Sequence, residues 1–392
     1  MVQAAATIEG KRQGSASTPR VAEAICVGLG LSLTLLAVLA DHGWLDRHLL
    51  PQMFMPRSRQ LLVWAGERAA LIGFGLVLIL PVRRRVGRIV GIGQGRDLLF
   101  SLALFAIAGA LALLASEAIL RTGNWERRER WVAEEEPLRH ADPLLGWVNV
   151  PGRVGIEMYH DRAIRYDVDA QGRRVADVRR PIDPARPSIL FVGESILFGY
   201  RLNWSETAAA QVGEKARLQP VNLSVNGYGT DQEWLRLRQE LPRFAHTKAV
   251  VALFAPMMIE RSLDRHRPRL DADLRWHAAE PGWRLGKLFR KLLPYRSAAR
   301  IDSGIAATRA SLVAIVAAAR AHGAQPLILV PEYGPEQPIE RRLRERVLAG
   351  LPFALVRIDP DWAIPGDGHP DARANLAMSR AVLAALGPRK QP

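Results

Sequence analysis

The stretch Ser188-Ile189-Leu190-Phe191-Val192-Gly193-Glu194-Ser195 reads as a buried strand that enters a tight glycine turn and ends on a serine. Asp367-Gly368-His369-Pro370 follows 172 residues after that serine, past a strand-like segment and before a helix-like one. A serine at a strand end with a late Asp/His pair has the residue types of nucleophilic acyl chemistry. Ser195 would attack a carbonyl, and His369 would take the hydroxyl proton and return it to the leaving alcohol. Asp367, two residues away, would fix the imidazole tautomer; in extended chain that spacing points both side chains to one side. The bland readings are a serine that merely ends a strand and a solvated histidine. His160 beside Asp161 is the nearest rival pair, and it sits in a turn-rich segment.

The elements that must position these residues show strand–helix alternation after residue 187. Candidate strands are 189–192, 220–224, 249–254, 326–330 and 354–358, short β-branched and aliphatic runs that suit a parallel sheet buried on both faces. Between them, Thr230-Asp231-Gln232-Glu233 signals a helix start, and 305–321, 340–349 and 372–386 read as further helices. The pattern predicts an α/β fold, a three-layer α/β/α sandwich with a parallel five-stranded sheet and its site at the carboxyl ends of the strands. Residues 142–187 are short, turn-rich and partly alternating, which predicts an irregular β-containing lead-in within 124–187. Residues 261–300 form a basic insertion, and Leu285 to Leu293 is an amphipathic stretch fit for a membrane surface, a lid or a plain solvated helix. Trp276 and Trp283 in it suit sugar stacking or ordinary packing.

The first 123 residues differ in kind. Three apolar runs, at about 22–40, 61–82 and 98–120, can each cross a hydrocarbon core as a helix. Glu67 and Arg68 in the second run are expected near one interface, with their polar ends reaching water. The net charge of +15 is concentrated: residues 1–96 carry 12 Lys/Arg against 5 Asp/Glu, and residues 261–300 carry 11 against 4. Basic residues beside membrane spans mark orientation and meet anionic lipid, and no nucleic-acid motif accompanies them, so nucleic acid is excluded as a partner. The single cysteine, Cys26, rules out an intrachain disulfide and a Cys-based metal site. Neither a metal nor a cofactor is called for.

With these residues in view, about three-fifths of the chain, residues 142–386, resembles the SGNH/GDSL hydrolase superfamily, most of all membrane-linked bacterial members tied to cell-surface acylation. Gly193-Glu194-Ser195 with Gly199 resembles the first block, and Asn222 to Gly229 the second, whose glycine, here Gly227, donates an N–H to the oxyanion. Asp367-Gly368-His369-Pro370 resembles the last block, which supplies acid and base. The segments Asp142 to Trp147 and Asp169 to Arg173 resemble stretches that precede the catalytic fold. The resemblance implies Ser195, His369 and Asp367 as catalytic, Ser195 and Gly227 N–H groups as oxyanion donors helped by Asn226, and Glu194, Met257 and Met258 beside the substrate. Two departures stand out. Glu194 replaces the usual Asp, and Ala255-Pro256-Met257-Met258 stands where a Gly-x-Asn-Asp block carries a further oxyanion donor. Losing one such donor costs about 10²–10³ in rate.

The resemblance implies a membrane-tethered serine esterase or O-acyltransferase acting on acyl, chiefly acetyl, esters of a cell-surface glycan or lipid. The alternative is an impaired SGNH-fold scaffold or glycan-binding subunit of an envelope polysaccharide assembly. The Arg83–Arg88 cluster places the loop after the second span in the cytoplasm, giving a multi-pass protein of the bacterial inner membrane whose catalytic domain faces the periplasm. The first span also reads as a cleavable signal ending at Val38-Leu39-Ala40, which leaves the domain on the same side. An alkaline phosphatase fused to the C-terminus is therefore expected to be active; an inactive fusion reverses the orientation.

Overall fold

The computed structural model describes residues 17–51, 57–92, 107, 109–119, 135–280, 282, 285–286 and 295–387. The chain divides into two units, residues 1–125 with 283–298, and residues 126–282 with 299–392.

In the first unit, Ser17–Leu39 is one helix. Arg57–Val77 continues through a π-helical turn, Leu78–Val82, into Arg83–Ile92. Pro81 lies in that turn and has no N–H to donate, and the wider π turn carries the helix past it. Among the described residues, three helices, Pro19–Leu39, Arg59–Arg88 and Ala298–Ala321, are long and apolar enough to cross a membrane by length and composition. The last of these buries Ile301, Ile305, Leu312, Ile315 and Val316, so it turns an apolar face onto the protein. Of the run expected at 98–120, Gly109–Ile119 is an apolar helix, and residues 98–106, 108 and 120 lie outside the described residues.

The two long helices meet through glycine. A β-carbon on Gly30 would lie 2.6 Å from the Gly75 carbonyl oxygen, and one on Gly75 would lie 2.7 Å from the Gly30 carbonyl oxygen. Small residues allow such close packing where lipid supplies no hydrophobic drive between helices. Arg68 donates through Nε to the Ala37 carbonyl at 2.7 Å, so this charge is tied to the first helix instead of simply reaching for water. The strand Leu49–Pro51 pairs antiparallel with Tyr295–Ser297, and Tyr295 packs with Leu45 and Trp64. The carboxylate of Glu117 accepts the Leu285 N–H at 2.9 Å. Residues 283–298 of the basic insertion thus belong to the helical unit; Trp283 and most of its amphipathic stretch, residues 287–293, lie outside the described residues.

The second unit is built on one large sheet, and the first two strands of its lead-in pair only with each other. Its lead-in supplies β1 (Arg139–Asp142), β2 (Gly146–Asn149), β3 (Val154–Tyr159), β4 (Arg162–Val168) and β5 (Arg174–Val175). There follow β6 (Ser188–Val192), α1 (Ser195–Phe198), α2 (Ala208–Ala216), β7 (Gln219–Asn222), α3 (Thr230–Glu240), β8 (Thr247–Leu253) and α4 (Met258–Ser262). The unit ends with α5 (Ala298–Ala321), β9 (Gln325–Tyr333), α6 (Pro338–Leu348), β10 (Phe353–Ile358) and α7 (Ala372–Leu386).

The sheet order is β10-β9-β8-β6-β7-β5-β4-β3. Strands β7, β6, β8, β9 and β10 run parallel, while β3, β4 and β5 join antiparallel. The expected five-stranded parallel sheet is corrected: the sheet has eight strands and is mixed. A bare edge on β7 would leave backbone donors and acceptors unpaired, and the Arg174–Asn222 pairing fills part of it with lead-in chain. Ile189, Phe191, Val251, Leu253, Leu329 and Val356 face α2 and α7, meeting Val212, Met378 and Val382. Their neighbours Leu190, Val192, Val250, Ala252, Ile328 and Val330 point to the opposite face and are equally buried. Each fully buried large aliphatic or aromatic side chain stabilises by about 1.5–3 kcal/mol.

No helix is expected from sequence between β6 and β7, yet Thr207 caps α2 by accepting the Ala210 N–H. Helix α3 begins at the expected place with a different cap: Gln232 accepts the Gly229 N–H, and Glu233 turns inward. The parallel strands follow the order 2-1-3-4-5, whose switch point lies beside β6, the strand that leads to Ser195.

The glycine crossing yields a test in detergent. Gly75→Leu is expected to lower the melting temperature by about 5 °C through overpacking. Gly73→Leu, at a position with open space around it, is the control and should leave it unchanged. Equal shifts would contradict the packing of these two helices.

Candidate active site

The serine turn is fixed from several sides. A β-carbon on Gly193 would lie 2.9 Å from Cβ of Leu197, so only glycine lets the chain double back so closely. Glu194 caps α1, its Oε1 accepting the Ile196 N–H at 3.0 Å. Gly199, with φ +77°, closes the same short helix in the left-handed conformation. Arg174 of β5 is fully buried and donates to the carbonyls of Phe198 at 2.5 Å, Gly199 at 2.6 Å and Leu202. Its guanidinium lies 4.9 Å from the ring centre of Tyr166 and 4.7 Å from that of Phe198. The lead-in therefore holds the turn that follows Ser195.

The loop after β10 carries the other two residues. Ile364 donates its N–H to the His369 carbonyl at 2.7 Å, and Asp371 donates to the Trp362 carbonyl at 2.9 Å. Gly366 and Gly368 take φ values of +75° and +89°. The expectation that Asp367 and His369 share one side of an extended chain is corrected, because a turn through Gly368 brings them together. Tyr159 of β3 donates its hydroxyl to the Pro365 carbonyl at 2.7 Å, and His160 contacts the same oxygen at 3.3 Å. His160 thus touches the backbone of this loop and is not bonded to Ser195.

These elements bring Ser195, His369 and Asp367 into one line. Ser195 Oγ lies 2.8 Å from His369 Nε2, and His369 Nδ1 is hydrogen-bonded to Asp367. Arg201 forms an ion pair with Asp367 and reaches Glu157 at 3.1 Å. Tyr200 meets the imidazole edge-on, with ring centres 5.0 Å apart. On the serine side, Glu194 is 1% exposed; its Oε2 accepts the Ser195 hydroxyl at 2.5 Å and lies 3.3 Å from the Arg261 guanidinium. Serine and histidine therefore sit between two carboxylate–guanidinium pairs.

Charge follows from these contacts. Burial pushes the Glu194 carboxyl up, but Arg261, the Ser195 hydroxyl, His369 and the Ile196 N–H outweigh it and hold the group below its ordinary value. The same contest lowers Asp367: burial opposes, while His369 and Arg201 prevail. Glu233 goes the other way. Burial and the nearby Glu194 raise it far above the ordinary value, and both its oxygens lack a hydrogen-bond partner among the described residues.

A turn at 225–228 stands next to β7, with Gly227 at φ +84°. Trp147 Nε1 at 2.9 Å and Arg139 at 3.2 Å donate to the Asn226 carbonyl, and Arg267 donates to the Gly227 carbonyl at 2.8 Å. The Val225 N–H donates to the Gly193 carbonyl and the Tyr228 N–H to the Val225 carbonyl, each at 3.2 Å, which ties this turn to the serine turn. Among the described residues no acceptor takes the N–H of Ser195 or of Gly227. Asn226 is nearly buried, and its Oδ1 has no partner among the described residues.

Two of the expected substrate contacts are corrected. Met258 is 0% exposed and lies in the core between the sheet and α2/α7, its sulfur accepting the Ala255 N–H at 3.4 Å. Glu194 is enclosed beneath Ser195, so it touches the serine hydroxyl and not a ligand surface. Met257 is half-buried against the same core. Trp276 is partly exposed and donates Nε1 to the Leu144 carbonyl at 3.1 Å. Arg201, Arg261 and Arg174 were missed. The first follows the serine motif by six residues, but an arginine paired with a carboxylate far along the chain has no spacing signature.

No protein-family model matches the chain, and no curated protein does. Among solved structures, the chain is similar to TesA at 19% identity and a TM-score of 0.32, covering 51% of this chain and 97% of that one. It is similar to a putative lipolytic protein of the G-D-S-L family from Desulfitobacterium hafniense at 11% identity and a TM-score of 0.31, covering 51% and 99%. A family two carbohydrate esterase from Cellvibrio japonicus matches at 11% identity and a TM-score of 0.31, covering 58% and 79%.

The lowered Asp367 carboxyl gives a pH prediction. A depressed folded-state value contributes stability that is present in full above the free value of 3.8 and lost as pH falls through the folded value. From about pH 5 to about pH 3 the unfolding free energy should fall more steeply for wild type than for Asp367→Asn. Parallel slopes in denaturant titrations would contradict the ion pair.

Proposed function

We propose that this chain is a membrane-anchored serine esterase or O-acyltransferase that moves or removes an acyl group, in the first place acetyl, on a surface glycan or lipid. The observation that carries the reading is the 2.8 Å contact between Ser195 Oγ and His369 Nε2 at the carboxyl end of the sheet. On attack, Oγ bonds to the ester carbon, its proton passes to Nε2, and the carbonyl electron pair moves to oxygen. The N–H groups of Ser195 and Gly227 receive that oxyanion. As the intermediate collapses, the bond to the leaving oxygen breaks and the imidazolium returns its proton there. Water or a sugar hydroxyl then takes the acyl group by the same steps in reverse.

The α/β unit would face outward from the cytoplasmic membrane. In support, Leu49–Pro51 pairs with Tyr295–Ser297, which requires those two stretches to lie on one side. Two crossings between them, by the second and third apolar runs, satisfy that requirement, and the Arg83–Arg88 helix end then lies on the other side with the basic N-terminal tail. Close packing of the first helix on the second favours a retained span over a cleaved signal.

A second reading has its own observation. The block after β8 offers no side-chain donor to an oxyanion, since Met258 is in the core. A scaffold or glycan-binding subunit would keep the fold without turnover. A fluorophosphonate probe separates the two: wild type should label, Ser195→Ala should not, and His369→Ala should label about 10⁶-fold more slowly. Labelling that persists in Ser195→Ala removes the serine from the reaction, and a wild type that stays unlabelled supports the scaffold.

A further inference from the structure

The Ser195 hydroxyl has one proton and two acceptors within reach. Glu194 Oε2 lies at 2.5 Å and His369 Nε2 at 2.8 Å. Glu194 is no mobile competitor: it is 1% exposed, its Oε1 is held by the Ile196 N–H at 3.0 Å, and Arg261 lies 3.3 Å from Oε2. Arg261 is itself fixed by donating to the Tyr228 carbonyl at 2.5 Å. A carboxylate so placed accepts a charge-assisted hydrogen bond, the stronger kind.

Resting on the esterase reading above, we propose that Glu194 is a positioning residue that holds the Ser195 hydroxyl proton away from His369 in the resting site. Catalysis begins only when the O–H bond swings from Glu194 to Nε2. Glu194 takes no proton at any stage; the proton passes from Oγ to Nε2 and then to the leaving oxygen. The contact is made in the ground state and given up on the way to the transition state, so it slows the chemical step. The negative charge of Glu194 works in the opposite direction, because it favours the imidazolium that forms once His369 has the proton.

These two effects separate by substitution. Asp in place of Glu keeps the charge and withdraws the carboxylate by one carbon–carbon bond, about 1.5 Å. Gln keeps the length and loses the charge. The test uses full-length protein in detergent micelles with p-nitrophenyl acetate as substrate and a fluorophosphonate as a second probe of the serine. Glu194→Asp is expected to raise kcat about tenfold with KM unchanged, and Glu194→Gln to lower it about tenfold. Melting temperatures of both variants are measured alongside, since a purely structural cap would shift stability without driving the two rates apart.

If wild type reacts and both variants are slower in step with their loss of stability, Glu194 only caps the helix and the proposal falls while the esterase reading stands. The proposal also falls alone if Glu194→Asp stays within about twofold of wild type. If folded wild type reacts with neither probe, the esterase reading falls and the proposal falls with it.

Discussion

Everything in the α/β unit converges on holding one hydroxyl group at a strand end. Ser195 stands where β6 finishes, and its oxygen must be 2.8 Å from an imidazole carried by a loop 174 residues away. That distance depends on the stacking of β6, β8, β9 and β10 in one sheet, since β10 launches the loop that bears Asp367 and His369. The lead-in strands serve the same end. Arg174 satisfies the carbonyls of the turn behind the serine, Trp147 and Arg139 pin the turn that carries Gly227, and Tyr159 ties down the histidine loop. A segment that reads as irregular in sequence is thus bonded to all three parts of the site.

Buried charge is the second theme. Asp167, Asp169, Arg173, Arg174, Glu194, Asp231, Glu233 and Arg267 are all buried in this unit. Unpaired, any of them would cost several kcal/mol. Most are paired or bonded to backbone, and Glu233 answers burial by a raised pKa instead. The pairs flanking the serine and histidine, Glu194–Arg261 and Asp367–Arg201, hold their carboxylates ionised inside the protein. An ionised Asp367 can orient the imidazole, and an ionised Glu194 can compete for the serine proton.

The strands of the parallel run and the helix at 372–386 were legible because their signals are local: apolar runs, a capping residue, a glycine stop. The serine and the Asp/His pair were legible as residue types beside strand ends. What escaped depends on long-range contact. Nothing in 154–175 announces that its strands extend a sheet made mostly of later chain, because antiparallel pairing of a short edge has no periodic mark. Met258 sits in a position that reads as site or core with equal ease, and only packing against α2 and α7 decides for core. Arg201 and Arg261 are two among many arginines, and their partners are distant in sequence. The turn at Gly368 was missed for a different reason, since an alternating spacing mimics extended chain.

The proposed acyl chemistry requires that Ser195, His369 and the two N–H groups surround one reacting carbon. The most direct measurement is an experimental structure of the full chain after reaction with a phosphonate ester. The expected result is phosphorus bonded to Ser195 Oγ, its free oxygen within hydrogen-bond distance of the Ser195 and Gly227 N–H groups, and His369 Nε2 still beside Oγ. A free oxygen pointing away from those N–H groups, or an imidazole on another face of the unit, would contradict it.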